Sequence, residues 1–288
     1  MSVEAVLPIS QRRETFFRTP NKFVVNQRVT APDMAIAFAD YKIPDANARA
    51  FLEGGPDALS RRFCPLAAFG TVYNVLKQER IIGGDTALPI GELLRKLAEY
   101  HKQEGLVDNV GNEWAASDTW EVFDTRGRIR SQAIVTAARS LDMPAEVVEG
   151  VSYPDMIDFV DNGGKVALSL DNKFVNDITD PNLPKLNPAG HVVAVIGASI
   201  DNDCSKTTLS IADPNTNPVQ LPIIELPIPQ LLPYLPEDPE THLKMVRGMV
   251  FANAPELLAP FQKFHAPNAL YPEKVIKEMH DWAMERGL

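Results

Sequence analysis

Cys64, His191 and Asp213 have the residue types and positions that nucleophilic catalysis by a thiol requires. Cys64 precedes Pro65 at the start of an apolar run with helical spacing, His191 begins a strand-like run, and Asp213 follows the next such run. A thiol reacts as the thiolate, so it needs a base to hold its proton and a third group to orient that base. The sequence therefore predicts that these three side chains converge.

The spacing of His191 and Asp213 predicts that they lie side by side. The runs HVVAVIGAS and TTLSIA are joined by a polar loop, and the two residues are 22 positions apart (213 − 191). In an antiparallel hairpin the start of the first strand meets the end of the second. We therefore expect both residues at one edge of a sheet.

Each of the three residues also has a structural explanation when it is taken alone. Cys64 suits a small packed residue, His191 a loop hydrogen-bonding residue, and Asp213 before a proline suits a turn in which its side chain caps the following amides. The combination favours chemistry, because a helix N-terminus at Cys64 stabilises the thiolate. The hairpin adds a base and an orienting carboxylate.

The elements around these residues predict an α+β fold. Helical spacing runs from Pro65 to about Gln78, and further helices are predicted in 87–106, 129–143 and 152–164. After Gly164 the pattern changes to strand-like runs, namely KVALSLD, HVVAVIGAS, TTLSIAD and MVRGMVFAN, with one earlier strand, PAEVVEGV. Helices followed by strands predict a helical half that packs against an antiparallel sheet.

Four segments together resemble a known family. CPLAAFGTVYNVL, GGKVALSL, GHVVAVIGA and LSIADPN are similar to papain-like cysteine peptidases of the bacteriocin-processing, double-glycine-leader type. The resemblance implies a papain-like fold over residues 58–255, in which the Cys-bearing central helix packs on a sheet that carries His and Asp. It implies Cys64 as the nucleophile, His191 as general base and then acid, and Asp213 as the orienter of the imidazole.

The flanking segments extend this domain. Residues 1–57 are too short to bury a good core alone, so they are predicted to be an N-terminal extension that packs on the domain. Residues 256–288 are predicted to be a C-terminal helical extension. The polar stretch 107–127 holds Trp114 and Trp120 and is interpreted as one wall of a substrate cleft, although a tryptophan pair that merely anchors the loop explains it equally well.

One departure from the family bears on activity. The family resemblance implies an oxyanion hole formed by the backbone N–H of Cys64 and a Gln about six residues earlier, but that position is Ala58. Ser60, Arg61 or Arg62 could substitute, and nothing in the sequence selects one. The expected function is a cysteine peptidase or amidase that forms a thioester. The alternatives are a catalytically silent papain-like module that binds a peptide or partner protein, and an acyltransferase that uses the same thiol.

The composition of the chain limits which binding partners and which cellular compartment are expected. The chain has 288 residues, 45% hydrophobic and 23% charged, with a net charge of −10. This acidic balance argues against nucleic acid and anionic membranes. No signal peptide or membrane-spanning segment is found, and two cysteines are too few for a crosslinked scaffold, so a cytoplasmic protein is expected.

Scattered histidines predict no metal site, and no cofactor is expected. A peptide or protein substrate is predicted, Cys204 is expected to be an exposed free thiol, and the oligomeric state is left open.

Overall fold

A six-stranded antiparallel sheet with helices on both of its faces organises the described part of the chain. The computed structural model describes residues 23–26, 64–80, 131–180, 190–201, 206–215, 223–237 and 244–264. The architecture is α+β, as the sequence predicts. The helix predicted in 87–106 and the loop 107–127 lie outside the described residues.

The strands of the sheet are β1 Ala145–Ser152, β2 Lys165–Leu170, β3 His191–Ser199, β4 Thr208–Ala212, β5 Ile223–Pro227 and β6 Met245–Phe251. Their order across the sheet is β1-β6-β2-β3-β4-β5, and every neighbouring pair is antiparallel. The hairpin of β3 and β4 is therefore present where the sequence predicts it, with a bulge between Val195 and Gly197.

The helices are α1 Cys64–Arg80, α2 Ser131–Ser140, α3 Tyr153–Asp161 and the single turn α4 Ile228–Leu231. A π-helical turn spans Val175–Thr179, and 3₁₀ segments span Leu232–Tyr234 and Pro255–Phe264. Among the helices in the described ranges, none is long and apolar enough to cross a membrane.

One face of the sheet is lined by alanines where α1 packs on it. Ala167 of β2, Ala194 of β3 and Ala212 of β4 are direct partners across the three strands and belong to the same buried cluster as α1. We call this side the alanine face. Alanine carries a single side-chain carbon, so a helix can approach the sheet closely here. Apolar residues of α1, including Leu66 and Phe69, are fully buried against it.

The opposite side, the aliphatic face, is filled by branched side chains. Val166, Val195 and Ile211 are the partners in the adjacent register and belong to the second buried cluster, which includes α3. Leu258 and Phe261 of the last 3₁₀ segment join the same cluster. Residues 255–264 are thus continuous with the domain core, while the remainder of the predicted C-terminal extension lies outside the described residues.

Both ends of α3 carry capping groups. The Ser152 hydroxyl accepts a hydrogen bond from the amide of Asp155 and donates one to its carboxylate. At the other end, Gly163 has φ 97°, and the amides of Gly163 and Gly164 donate to the carbonyls of Val160 and Phe159. This is a Schellman ending, which requires the positive φ that glycine adopts freely.

A short N-terminal segment packs on α1. The amide of Val25 donates to Thr71 Oγ1 at 2.9 Å, and Asn74 Nδ2 donates to the carbonyl of Phe23 at 3.2 Å. Phe23 and Val25 are themselves buried with α1. Residues 23–26 of the predicted N-terminal extension therefore pack on the domain, and the other residues of that extension lie outside the described ranges.

Candidate active site

His191 and Asp213 meet at one edge of the sheet. Ala194 of β3 pairs with Ala212 of β4, so the residue after β4 lies beside the beginning of β3. There His191 Nε2 lies 2.8 Å from Asp213 Oδ1. Both side chains are buried, with 3% of His191 and none of Asp213 exposed. The predicted juxtaposition of these two residues is confirmed.

Cys64 reaches the same place from the start of α1. Its thiol lies close enough to the His191 ring to contribute to the raised pKa of that ring, and Cys64 is buried, with 7% of the residue exposed. Since Nε2 of the ring faces Asp213, Nδ1 is the nitrogen left for the thiol. The packing of α1 on β3 and β2 brings the thiol to this edge. The imidazole of His191 therefore lies between the thiol of Cys64 and the carboxylate of Asp213.

The carboxylate of Asp213 is held by donors from three parts of the chain. Its Oδ1 faces His191 and also accepts the amide of Asn215 at 2.7 Å. Its Oδ2 accepts the hydroxyl of Thr179 at 2.7 Å. The contact with the Asn215 amide is the turn-capping interaction expected of an aspartate before proline. Asp213 therefore both caps this turn and orients the His191 ring.

The electrostatics of the site favour an ion pair. Burial alone would lower the pKa of His191, but the charge and hydrogen bond of Asp213 and the contact with Cys64 raise it from 6.5 to about 10. Burial would raise the pKa of Asp213, but the charge of His191 and the hydrogen bonds from His191, Thr179 and Asn215 lower it. The imidazole is therefore protonated and the carboxylate ionised at neutral pH.

This arrangement suits attack by sulfur on an acyl carbon. An imidazolium beside the thiol is placed to donate a proton to a leaving group. The first turn of α1 contains no acidic residue. The partial positive charge of the helix start is thus not offset there by an acidic side chain of the same turn.

Sequence reasoning missed Thr179 and Asn215 as members of the site. Asn215 had a signal, because the amide two residues after an aspartate is the usual partner in an Asx turn. Thr179 had none, since it lies in the polar stretch NDITD, 34 residues before Asp213.

Several predicted contributors lie outside the described residues. These are the substitutes for the glutamine that is missing at Ala58 (Ser60, Arg61 and Arg62), the Trp114–Trp120 loop, and Cys204. Within the part of the chain that the structure describes, no group of three or more His, Cys, Asp or Glu side chains is arranged to hold a metal ion.

Comparisons with known proteins do not assign the chain to a group. No family model matches it, and no curated protein matches it. The function is therefore argued from the geometry of Cys64, His191 and Asp213.

Proposed function

We propose that the protein is a papain-like cysteine hydrolase that cleaves a peptide or amide bond through a thioester at Cys64. The observation that carries this proposal is the continuous chain of contacts from Cys64 to His191 to Asp213. The order along the chain also supports it, because the thiol opens a helix that precedes the sheet, and the base and carboxylate follow on consecutive strands. A binding module would have no need of this ordered set.

The reaction follows from the protonation states of the site. The Cys64 thiolate attacks the carbonyl carbon, forming a C–S bond, and the His191 imidazolium gives its proton to the leaving amine as the C–N bond breaks. His191, now neutral, takes a proton from water as the water oxygen attacks the thioester, forming a C–O bond, and the C–S bond then breaks. The acid product leaves, and the thiolate and imidazolium are restored. Asp213 keeps the ring oriented and stabilises its positive charge throughout.

The start of α1 supplies stabilisation for the oxyanion. The amides at a helix start have no partner within the helix, so the backbone N–H of Cys64 is available to the developing negative charge. Pro65 contributes no N–H, so the second donor must come from elsewhere. Removing one such donor typically costs about 10²- to 10³-fold in turnover, so the second donor decides how fast the enzyme is.

Turnover of a peptide-amide library by the full chain tests the proposal. We expect Cys64→Ala to lose turnover by a factor on the order of 10⁴ or more, because the acyl-enzyme cannot form. Cys204→Ala is the matched control and is expected to retain activity. Mass spectrometry of the intact protein during turnover should show an acyl adduct on Cys64.

Two results would overturn the proposal. One is equal background turnover by the full chain and by Cys64→Ala, which would leave a binding role for the fold. The other is alkylation of Cys64 by iodoacetamide no faster than that of Cys204 between about pH 5 and 8, which would exclude an activated thiolate.

A further inference from the structure

Thr179 lies behind the catalytic carboxylate on an element unconnected with the hairpin. It ends the π-helical turn Val175–Thr179, and only 4% of it is exposed. Its Oγ1 lies 2.7 Å from Asp213 Oδ2, the oxygen that does not face His191. The carboxylate is therefore gripped on one oxygen by the imidazole and on the other by this hydroxyl.

The hydroxyl proton has two acceptors within reach, and the geometry selects Asp213. Thr179 Oγ1 also lies 3.3 Å from the carbonyl oxygen of Val175. That carbonyl already accepts the amide of Asp180 at 2.7 Å. A hydroxyl has one proton to donate, and the short contact to an ionised carboxylate is the stronger bond. The proton therefore points to Oδ2 of Asp213.

The turn that carries Thr179 is itself braced. The amide of Asp171 donates to the carbonyl of Tyr234 at 2.9 Å, and the rings of Phe174 and Tyr234 meet edge to face at 5.4 Å. The Tyr234 hydroxyl donates to Asp177 Oδ2 at 3.1 Å. These contacts tie the turn to the segment after β5, so Thr179 is presented from a supported backbone. Irregular π-helical turns occur frequently at functional sites.

We propose that Thr179 is a positioning residue whose hydroxyl prevents the Asp213 carboxylate from rotating and so keeps Oδ1 directed at Nε2 of His191. This inference rests on the proposed function for its catalytic consequence. Its structural content, the orientation of Asp213, is testable in the resting protein. A valine at position 179 has the same shape without the donor, whereas a serine keeps the donor.

The test compares Thr179→Val with Thr179→Ser. We expect Thr179→Val to lower kcat/KM about 10-fold, the effect of losing one hydrogen bond to a buried charge, and Thr179→Ser to remain within about threefold of the natural chain. The ring signals of His191 followed by NMR should titrate at lower pH in Thr179→Val, toward 6.5. Asp213 should protonate at higher pH, because its charged form loses a donor. Among the described residues, the charges that shift the pKa of His191 are those of Asp213 and Cys64, and the charge that shifts the pKa of Asp213 is that of His191.

Thr207→Val controls for the loss of a buried threonine hydroxyl. Thr207 contacts the backbone of Asp201 at the far end of β4 from Asp213, so its replacement should leave the His191 titration unchanged. Unchanged His191 and Asp213 titrations in a folded Thr179→Val protein would overturn the inference, whatever the activity. If no variant hydrolyses any substrate, the proposed function fails, and the titrations still decide the role of Thr179. A titration shift in Thr179→Ser equal to that in Thr179→Val would also overturn it.

Discussion

The two faces of the central sheet are built from different side chains for different purposes. In one register Ala167, Ala194 and Ala212 lie side by side across three strands, and α1 packs on the strands of the first two. One residue along each strand, Val166, Val195 and Ile211 fill the opposite side. Small residues let a helix approach, and branched residues fill volume.

The helices on the two faces differ in the same way. On the aliphatic face α3 is closed at both ends, by Ser152 and by the Gly163 turn. On the alanine face α1 begins with Cys64, so the start of this helix lies at the candidate site. Cys64 is therefore presented from the alanine face, whereas the helix on the aliphatic face is capped at both ends. The expectation is that substitutions on the two faces separate activity from stability.

Phe159→Ala should have the largest effect on stability with the least on the site. Phe159 of α3 is buried against Phe261, with ring centroids 4.7 Å apart. Its removal should lower the free energy of unfolding by about 3–5 kcal/mol, because a large cavity is left. Urea denaturation measures the loss. In the fraction that stays folded, the alkylation rate of Cys64 should remain within about twofold of the natural rate. A tenfold slower alkylation of the folded fraction would contradict the separation of the faces.

Ala194→Leu should reduce stability less than Phe159→Ala does and should reduce the alkylation rate of Cys64 more. The added carbons lie beneath α1, where Ala194 is fully buried, and overpacking costs about 1–3 kcal/mol. The helix must shift outward, which moves Cys64 away from His191. Alkylation of Cys64 at neutral pH, compared with that of Cys204 in the same sample, should fall more than about tenfold, because the thiol loses its contact with the His191 ring.

Val195→Leu is the matched control for this substitution. Val195 neighbours Ala194 on β3 but belongs to the aliphatic cluster. Its enlargement should reduce stability and leave alkylation intact. Equal loss of alkylation in both variants would show that the alanine row has no special role in placing the helix.

Of these predictions, the pH dependence of kcat/KM and of stability should show the most gradual change. Because the pKa of His191 is raised to about 10, kcat/KM should hold up to that pH and then fall about tenfold per unit as the imidazolium deprotonates. The contribution of His191 to the free energy of unfolding should also decrease as the pH rises. The contribution of His191 is fully present below its unfolded pKa of 6.5 and is lost as the pH rises through about 10. That of Asp213 is present above 3.8 and is lost as the pH falls through its lowered pKa.

His191→Gln isolates this dependence. Its free energy of unfolding between pH 6.5 and 10 should decline less than that of the natural chain, in urea titrations at matched ionic strength. Identical slopes in the two proteins would show that the pKa of His191 is not raised in the folded state.

Most of the sheet was predictable because its strands are short apolar runs bounded by polar turns. β5 was not, since prolines flank it in PVQLPIIELPIP and suggest an irregular passage. It is an edge strand in the described sheet, where a proline sacrifices no ladder hydrogen bond on its open side. The short helical turns after β5 were hidden by the same prolines.

Within the site, the pairing of His191 with Asp213 was predictable from a hairpin alone. The approach of Cys64 to this pair was predicted from its position before a helix and from the family resemblance. The alanine row on which that helix packs was not predicted, because alanines in a strand do not indicate what packs on them. Thr179 was beyond prediction for a similar reason. Its contact joins residues 34 positions apart on elements whose relation only the packed structure defines.

The segment 23–26 has a consequence for how the chain is made. Its contacts with Thr71 and Asn74 span 46 and 51 residues of sequence. During synthesis the segment leaves the ribosome before the helix it covers, and it must wait, exposed, until that helix exists. Deleting it would leave two polar groups of the helix without these bonds and uncover apolar surface. Truncation near the N-terminus should therefore reduce the yield of folded protein without changing any of the three residues at the sheet edge.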